Sequence, residues 1–551
     1  MTNNIKDDVD KNNLYASNML LDTINHKENS IPLALVEKEP SKDIIKSLIF
    51  LLKNNNLDLM ISQTKALKVK FPNFYYLYFL LGLAESQKLN QLNAISEFKK
   101  SLMLNSKFFD SFFEMGNCYR KIGNYENALS SYEEAKALNP KNTKVYNNIG
   151  FTLLELEKKK EAITYFERAI ELNPYYILAY NNLGETLKEL GRLNESLTIF
   201  KKGLEKNYFS YELHNNYGTV LQELGRLKEA ETCYKQAIIL KPNFPEALMN
   251  LSIVQDYLNN LDLATIQLKN LLIIDPENYG LRAAVIIAIY KFLEDDFSTS
   301  KKYLLESSHI EKQLTLKFKN ERIYHQYLFK LLSRHENKHF KNLNVITQKN
   351  IYVIGESHAL VSHGLHVKKS RDTFLCKSML IQGCMQWHLG NSIQNKFKVK
   401  FESIIKSLSN QSDVLLTIGE IDCRLDNGII KHKSKFPEKN MTELITNTIE
   451  NYLNYIHKIN SYYKHKIIIQ GVPSPNVETK NISKQKIMEL IYLIRDFNII
   501  LKNKSAELGF GFLDVYKITN RGDGFSNKIW HLDATHLSPE GILEAWRIHS
   551  S

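Results

Sequence analysis

The chain has 551 residues, of which 43% are hydrophobic and 24% are charged, and its formal net charge is +12. This length allows three or four domains with apolar cores. The lysines are spread out, and no stripe of basic residues alternates with aromatic ones, so no nucleic-acid partner is expected. Five scattered cysteines without a CxxC pair argue against disulfides and structural zinc. With no signal peptide and no transmembrane run in the pattern, we expect a cytoplasmic protein.

A 34-residue period dominates the first half of the chain, after a patternless stretch at 1–40 that predicts a flexible N-terminal arm. Each repeat has a small residue, a second small residue twelve positions later, and a large apolar residue four positions after that. The first small residues are Gly82, Gly116, Gly150, Gly184, Gly218 and Ser252; the second are Ala94, Ala128, Ala162, Ser196, Ala230 and Ala264; the large ones are Phe98, Tyr132, Phe166, Phe200, Tyr234 and Leu268.

This pattern resembles the tetratricopeptide repeat across residues 41–278, with about seven repeats. The small positions let two helices cross closely, and the large residue fills the groove between them. The resemblance implies an all-α solenoid whose concave surface holds a protein or peptide. We predict a degenerate repeat with a capping helix at 279–340, including one long helix at 311–334 that closes the solenoid. A linker is predicted at 341–349.

Asparagines recur two residues before the small residue of four successive repeats. In repeat arrays similar to that of O-linked N-acetylglucosamine transferase, asparagines at this place hold a peptide backbone, and an amide offers both a donor and an acceptor. The alternatives are that they cap or bond within the repeats, or that they follow a general asparagine bias. The predicted partner-binding residues are Asn148, Asn182, Asn216 and Asn250.

From residue 350 to 551, short β-branched runs alternate with helical patterns. Strands separated by helices predict an α/β domain with a parallel sheet covered on both faces, and its ligands bind at the carboxyl ends of the strands. The predicted strands are 351–354, 373–380, 414–418, 466–470 and 510–514, and the longest helices between them are predicted at 441–461 and 484–508.

Two strings in this region carry the chemistry. Ser357 follows the first strand within Gly355-Glu356-Ser357-His358, and Asp533 precedes His536 by three residues near the end of the sequence. A serine, a histidine and an aspartate are the nucleophile, the base and the orienting group of a serine hydrolase. We therefore predict a catalytic triad of Ser357, His536 and Asp533.

The two strings resemble the first and last blocks of the SGNH (GDSL-like) hydrolases, which implies a three-layer α/β/α fold and an acyl ester substrate. Glu356 replaces the usual aspartate of the first block. The third block, Gly419-Glu420-Ile421-Asp422, has Ile421 where the family has an asparagine that donates to the oxyanion. Arg424 is the substitute considered for that donor. Gly383, soon after the second strand, is the candidate for the family's second block, and its backbone amide would hold the oxyanion together with that of Ser357.

We interpret the chain as a repeat scaffold that binds a protein or glycan-bearing partner, joined to an esterase that removes a small acyl group, most simply acetyl from an O-acetylated glycan. Two alternatives stay open: a scaffold whose sheet domain only binds, and an O-acyltransferase using the same triad. No cofactor is expected. No metal is expected either, because no HExxH-like pair is formed by His358, His363, His366, His388 and His531.

Overall fold

A computed structural model describes residues 39–313, 319–336, 349–425, 428–476 and 482–550. The predicted arm, apart from residues 39 and 40, and the predicted linker, apart from residue 349, lie outside the described residues. The chain forms two compact units that divide between Phe209 and Ser210. Within the described ranges, no helix is both long enough and apolar enough to cross a membrane.

The first unit is built from antiparallel helix pairs that follow the 34-residue period. Each pair is joined by a short turn, and the two helices of a pair have lengths close to 13 and 14 residues. The helices are α1 Lys42–Lys53, α2 Leu57–Lys70, α3 Tyr75–Gln87, α4 Gln91–Leu104, α5 Phe109–Lys121, α6 Tyr125–Leu138, α7 Thr143–Glu155, α8 Lys159–Leu172, α9 Ile177–Glu189 and α10 Leu193–Lys206.

The repeated glycines are required by close helix crossing. A Cβ added to Gly150 would lie 2.6 Å from the ring of Phe166, and one added to Gly184 would lie 2.4 Å from the ring of Phe200. Any side chain at these positions would displace the aromatic ring, which is fully buried. The predicted function of the small and large positions in the repeat is therefore confirmed by their packing.

The second unit begins with further helix pairs of the same kind. Its helices before the sheet are α11 Tyr211–Glu223, α12 Leu227–Leu240, α13 Pro245–Tyr257, α14 Leu261–Ile274, α15 Leu281–Leu293, α16 Phe297–Gln313 and α17 Lys319–Glu336. Of the predicted long helix at 311–334, residues 311–313 belong to α16 and residues 319–334 belong to α17, while residues 314–318 lie outside the described residues. Leu328 and Leu331 of α17 are buried in the same core as Ile351 and Val353 of the first strand, so this helix packs with the sheet.

Six strands form a mixed sheet. The strands are β1 Asn350–Gly355, β2 His366–Lys369, β3 Asp372–Leu380, β4 Asp413–Thr417, β5 Lys466–Gln470 and β6 Gly511–Leu513. They are ordered β2-β3-β1-β4-β5-β6, and only β2 runs antiparallel to its neighbour. The prediction of an all-parallel sheet is thus wrong at one edge. The sequence of β2, His-Val-Lys-Lys, is too short and polar to indicate a strand, and its pairing with β3 creates it.

Both faces of the sheet are buried. Ile351, Val353 and Leu415 share a core with α15 and α17, while Val414 and Leu416 on the opposite face are also inaccessible to solvent. The remaining helices are α18 Gln386–Gly390, α19 Lys396–Ser407, α20 Gly428–Lys435, α21 Met441–Tyr463, α22 Lys484–Glu507, α23 Val515–Thr519 and α24 Pro539–Ser550. Because both faces are covered, the carboxyl ends of the parallel strands are the places where polar residues can lie.

Candidate active site

The first string lies at the carboxyl end of β1, where the chain turns into a short 3-10 helix, Ser357–Ser362. Gly355 makes this turn possible because a Cβ there would lie 2.0 Å from Oγ1 of Thr417 on the adjacent strand. The backbone of β1 can therefore approach β4 closely, and the next residues leave the sheet at its edge. Ser357 is placed at the start of the 3-10 helix with only 3% of its surface exposed.

The second string forms a tight loop immediately before α24. His531 pairs with Leu537 across the loop, and the backbone N–H of Leu532 donates to the carbonyl of His536 over 2.8 Å. This closure fixes the two residues between Asp533 and His536 without help from a regular helix. His536 is 3% exposed, so the loop directs its ring into the protein.

The two strings meet in a continuous chain of hydrogen bonds. Nε2 of His536 lies 2.9 Å from Oγ of Ser357, and Nδ1 of His536 lies 2.9 Å from Oδ2 of Asp533. An ionised carboxylate is only an acceptor, so Nδ1 carries a hydrogen and donates to Asp533. Nε2 then faces the serine hydroxyl from which it can take a proton. The structure thus brings together the three residues that the sequence predicts as a triad.

Asp533 is held as a carboxylate by its own loop. Besides the ring of His536, it accepts the backbone N–H groups of Thr535, over 2.9 Å, and of His536, over 2.8 Å. Burial would raise the pKa of Asp533, but the hydrogen bonds and the charge of His536 outweigh it and hold the pKa well below its usual range.

A second acid–base pair lies beside the serine. Oγ of Ser357 donates to Oε2 of Glu356 over 2.6 Å, and Oε1 of Glu356 contacts Nδ1 of His358. The other ring nitrogen of His358 lies 3.0 Å from the carbonyl oxygen of Thr535, in the second string. Burial opposes the charge on both groups, yet their mutual attraction lowers the pKa of Glu356 and raises the pKa of His358 to about 9.

One side of the site is formed by helix α17, which precedes the sheet. The ring of Tyr327 stacks on the ring of His536 with centroids 3.9 Å apart and planes at 16°, and its hydroxyl donates to the carbonyl of Ser357 over 3.3 Å. Tyr324 is one turn earlier on the same helix, with its hydroxyl within hydrogen-bond reach of Ser357, and burial raises the pKa of Tyr324. Sequence reasoning missed both tyrosines, since no local pattern marks a helix residue that meets a loop more than 200 positions later.

The structure describes the surroundings of both predicted oxyanion residues, Arg424 and Gly383. Arg424 is paired with Glu420, with Nη2 to Oε2 at 2.6 Å, so its guanidinium is already engaged. Gly383 is exposed in the loop after β3, with φ at +69°. Ile381 ties that loop to the first string, because its backbone N–H donates to the carbonyl of Gly355 over 2.7 Å.

The third block shapes the site from β4. Ile421 opens a short 3-10 helix, and the adjacent Asp422 is buried and accepts the backbone N–H groups of Gln386, over 2.8 Å, and of Trp387, over 3.4 Å. Burial raises the pKa of Asp422 to about 7, although those hydrogen bonds oppose the shift. Asp422 therefore has a positional role that links two loops.

Glu356, His358 and Glu420 each place one possible metal ligand within 4.8 Å of the others. Both ring nitrogens of His358 already face protein acceptors, and Arg424 already neutralises Glu420. Two opposite charge pairs account for this cluster without an ion.

The predicted asparagine ladder is engaged in bonds between neighbouring repeats. In the first unit, Nδ2 of Asn148 donates to Asn117 over 2.9 Å, and Nδ2 of Asn182 donates to Asn147 over 2.9 Å. In the second unit, Asn250 donates to Asn215 over 3.0 Å, and Asn215 donates to Asn216 over 3.2 Å. All four predicted residues are partly exposed.

Comparison with known proteins finds matches to the repeats. Residues 109–142, 143–176, 165–198 and 211–244 match the tetratricopeptide repeat. Among solved structures, YrrB, a TPR protein with an unusual peptide-binding site, is 24% identical over 34% of this chain and 95% of its own, with a TM-score of 0.29. PilF of Pseudomonas aeruginosa is 20% identical over 37% of this chain and 92% of its own, with a TM-score of 0.33. A thermophilic TPR protein of Thermus thermophilus is 25% identical over 32% and 95%, with a TM-score of 0.28.

A search of curated proteins found no match. Modules of this kind present extended concave surfaces to protein partners. The N-terminal region of the chain is therefore a helical solenoid of tetratricopeptide repeats, a scaffold for protein interaction, followed by a region with a mixed β-sheet.

Proposed function

We propose that the region from residue 350 onward is an SGNH-like serine esterase with a three-layer α/β/α fold. Its catalytic residues would be Ser357, His536 and Asp533, and it would act on a partner recruited by the repeats at 41–278. The observation that supports this best is the unbroken hydrogen-bond chain from Oγ of Ser357 through the ring of His536 to Asp533. In a serine hydrolase, this hydrogen-bonded arrangement of serine, histidine and aspartate can be recognised from interatomic distances.

The reaction would run in two steps. Ser357 Oγ attacks the ester carbonyl while Nε2 of His536 accepts the hydroxyl proton, and that proton then goes to the departing alcohol as the C–O bond breaks. Water attacks the resulting acyl-serine, gives a proton to His536, and the carboxylic acid leaves as the serine recovers its proton. Backbone N–H groups of Ser357 and Gly383 are the donors we propose for the oxyanion, since Arg424 is held by Glu420.

A small acyl group, most simply acetyl, suits this site. Ser357 and His536 each expose only 3% of their surface, and Tyr327 covers the imidazole ring. The nearby crevice at the ends of β4 and β5 is lined by the polar side chains of His358, Glu420 and Gln470 as well as by Gly419, Gly471 and Pro473. An O-acetylated glycan remains the substrate class we favour.

The test is hydrolysis of p-nitrophenyl acetate by the whole chain. We expect Ser357→Ala to lower the rate by at least about a thousandfold, because members of a triad act as a unit. Ser362→Ala is the matched control: Ser362 lies in the same 3-10 helix, is also buried, and its hydroxyl has no hydrogen-bond partner among the described residues. Equal activity of Ser357→Ala and the wild type would remove Ser357 from the mechanism.

The same site fits an O-acyltransferase, because burial of the serine keeps water from an acyl-enzyme. Adding a sugar acceptor distinguishes the two enzymes: a transferase forms acetylated sugar at the expense of free acetate. A scaffold with an inactive sheet region is the third possibility, and it predicts no labelling of Ser357 by a fluorophosphonate probe.

The repeats would hold a peptide segment of the partner. Where the hydrogen bond of a ladder Nδ2 atom is described, this atom donates to the amide oxygen of a neighbouring asparagine, as Asn182 does to Asn147. The carbonyl oxygens of Asn148, Asn182 and Asn250 would each accept a peptide N–H group, whereas Oδ1 of Asn216 already accepts from Asn215.

A further inference from the structure

The side chain of His358 bonds to both strings of the proposed active site. Its Nδ1 contacts Glu356 in the first string, and its Nε2 lies 3.0 Å from the carbonyl oxygen of Thr535 in the second. Thr535 lies between Asp533 and His536, so any movement of this carbonyl moves the base. We propose that His358 is a positioning residue of the site, an imidazolium that clamps the 533–536 loop onto the serine loop.

The two contacts determine where the protons are. A carbonyl oxygen is only an acceptor, so Nε2 of His358 carries a hydrogen and donates to Thr535. Nδ1 faces the carboxylate of Glu356, which also accepts from Ser357 over 2.6 Å. A carboxylate that accepts at both oxygens requires a donor at Nδ1 as well. His358 is therefore protonated on both ring nitrogens.

The clamp also affects the reacting hydroxyl. Ser357 has one proton and two acceptors near it, Oε2 of Glu356 at 2.6 Å and Nε2 of His536 at 2.9 Å. The positive charge of His358 draws electron density from Glu356 and makes it a weaker base. The proton can then pass to His536, as the proposed esterase mechanism requires. A neutral His358 would leave Glu356 as a strong competitor for that proton.

The other charged groups around His358 do not replace it. Glu420 adds negative charge but is paired with Arg424, and the ring of His536 lies 4.8 Å from the ring of His358. His531, in the second string, has its pKa lowered to about 4, by burial first and then by the charge of His358. His358 is thus the cation in direct contact with Glu356.

The inference rests on the proposed esterase function, and its test compares two variants that each keep one half of the clamp. His358→Asn retains a donor near the position of Nδ1, toward Glu356, and His358→Gln retains one near the position of Nε2, toward Thr535. We expect each to lower kcat on p-nitrophenyl acetate about 10- to 100-fold, the loss expected for one hydrogen bond to a charged group, with KM changed less than threefold. His366→Asn, on the edge strand β2, is the control.

A second readout does not depend on turnover. Nitrogen NMR of the His358 ring, recorded in Ser357→Ala as well, should show both nitrogens protonated at pH 7 and loss of one proton near pH 9. A ring that is neutral at pH 7, or a His358→Asn and a His358→Gln variant with wild-type kcat, would overturn the proposal. Loss of activity on adding EDTA would also overturn it, because the cluster would then hold a metal.

The two proposals can fail separately. If Ser357→Ala leaves activity unchanged, the esterase function fails while the NMR result on His358 still stands. If Ser357→Ala abolishes activity and the His358 variants do not lower it, the esterase function survives and the clamp is wrong.

Discussion

At the scale of single residues, the site contains buried charged groups whose partners lie only two or three residues away in the sequence. Glu356 and His358 are two residues apart, and Asp533 and His536 are three apart. The charges of Glu356 and His358 cancel each other, and the carboxylate of Asp533 is held by hydrogen bonds from the ring and backbone of His536 and from the backbone of Thr535. Removing one partner of such a pair is costly because the remaining charge stays buried.

Asp422 gives the clearest prediction of pH dependence at this scale. Its folded-state pKa is raised from 3.8 to about 7 by burial, so the folded protein binds this proton more tightly than the unfolded chain does. The stability it contributes is complete below about pH 4 and is lost as pH rises through 7. We expect the difference in free energy of unfolding between the wild type and Asp422→Asn to fall over this range, by up to about 1.4 kcal/mol per pH unit.

Urea unfolding followed by tryptophan fluorescence measures this difference, because all three tryptophans, Trp387, Trp530 and Trp546, lie in the second unit. Asp496→Asn, at an exposed pair with Arg495, is the control and should show no such trend. A difference that is independent of pH from 4 to 8 would contradict the buried state of Asp422.

At the scale of elements, helix α17 joins the repeat region to the chemistry of the sheet region. Its apolar side chains enter the core that covers the sheet, which fixes the helix, and the same face carries Tyr324 and Tyr327 to the site. Residues three apart lie on one face of a helix, so a single element supplies both rings. The helix is therefore part of the candidate site although it lies before the first strand.

We expect Tyr327 to affect kcat/KM mainly through the stacking of its ring on His536 and less through the hydrogen bond of its hydroxyl. Tyr327→Phe keeps the ring on His536 and loses only a 3.3 Å hydrogen bond, so its kcat/KM should stay within about twofold of the wild type. Tyr327→Leu removes the stacked pair and should lower kcat/KM about 2- to 10-fold. Steady-state kinetics on p-nitrophenyl acetate measures both, with exposed Tyr492→Leu as the control. Wild-type kinetics in Tyr327→Leu would show that the stacking has no effect on the base.

At the scale of the whole molecule, the second compact unit contains both the last repeats and the sheet. Within it, Nζ of Lys396 pairs with Glu223 over 2.6 Å, and Phe397 packs against Tyr257 with ring centroids 6.2 Å apart. Helix α19 of the sheet region thus rests on the repeat helices α11 and α13. The unit begins at Ser210, not at the change in composition near residue 350.

A substitution of Lys400 tests whether this packing stabilises the second unit. It is 5% exposed, and its Nζ contacts Oδ1 of Asp256 at 3.2 Å and Oδ1 of Asn259 at 3.0 Å, both on or beside helix α13. Lys400→Met keeps most of the stem and leaves Asp256 without its cation, so we expect a loss of about 1–3 kcal/mol in the free energy of unfolding of the second unit. Lys406→Met, exposed in the last turn of the same helix, is the control. Tryptophan fluorescence in urea measures both variants, and equal stability would mean that the contact contributes nothing.

The elements were predictable where a local pattern is long or repeated. The 34-residue period places the repeat helices because every copy needs small and large residues at the same positions, and the buried β-branched runs place the parallel strands. β2 was missed because four residues at a sheet edge carry little apolar signal.

The sequence by itself determined the repeat solenoid, most of the strands, and the identity of Ser357, Asp533 and His536 as residues of interest, because these depend on local periodicity and on chemistry carried in short strings. Only the tertiary structure decided which groups surround them: Tyr327 on the imidazole, His358 between the two strings, and Glu420 on Arg424. These contacts join residues distant in the chain or depend on how much water reaches a charge. Such properties arise when the elements pack, and no local pattern records them.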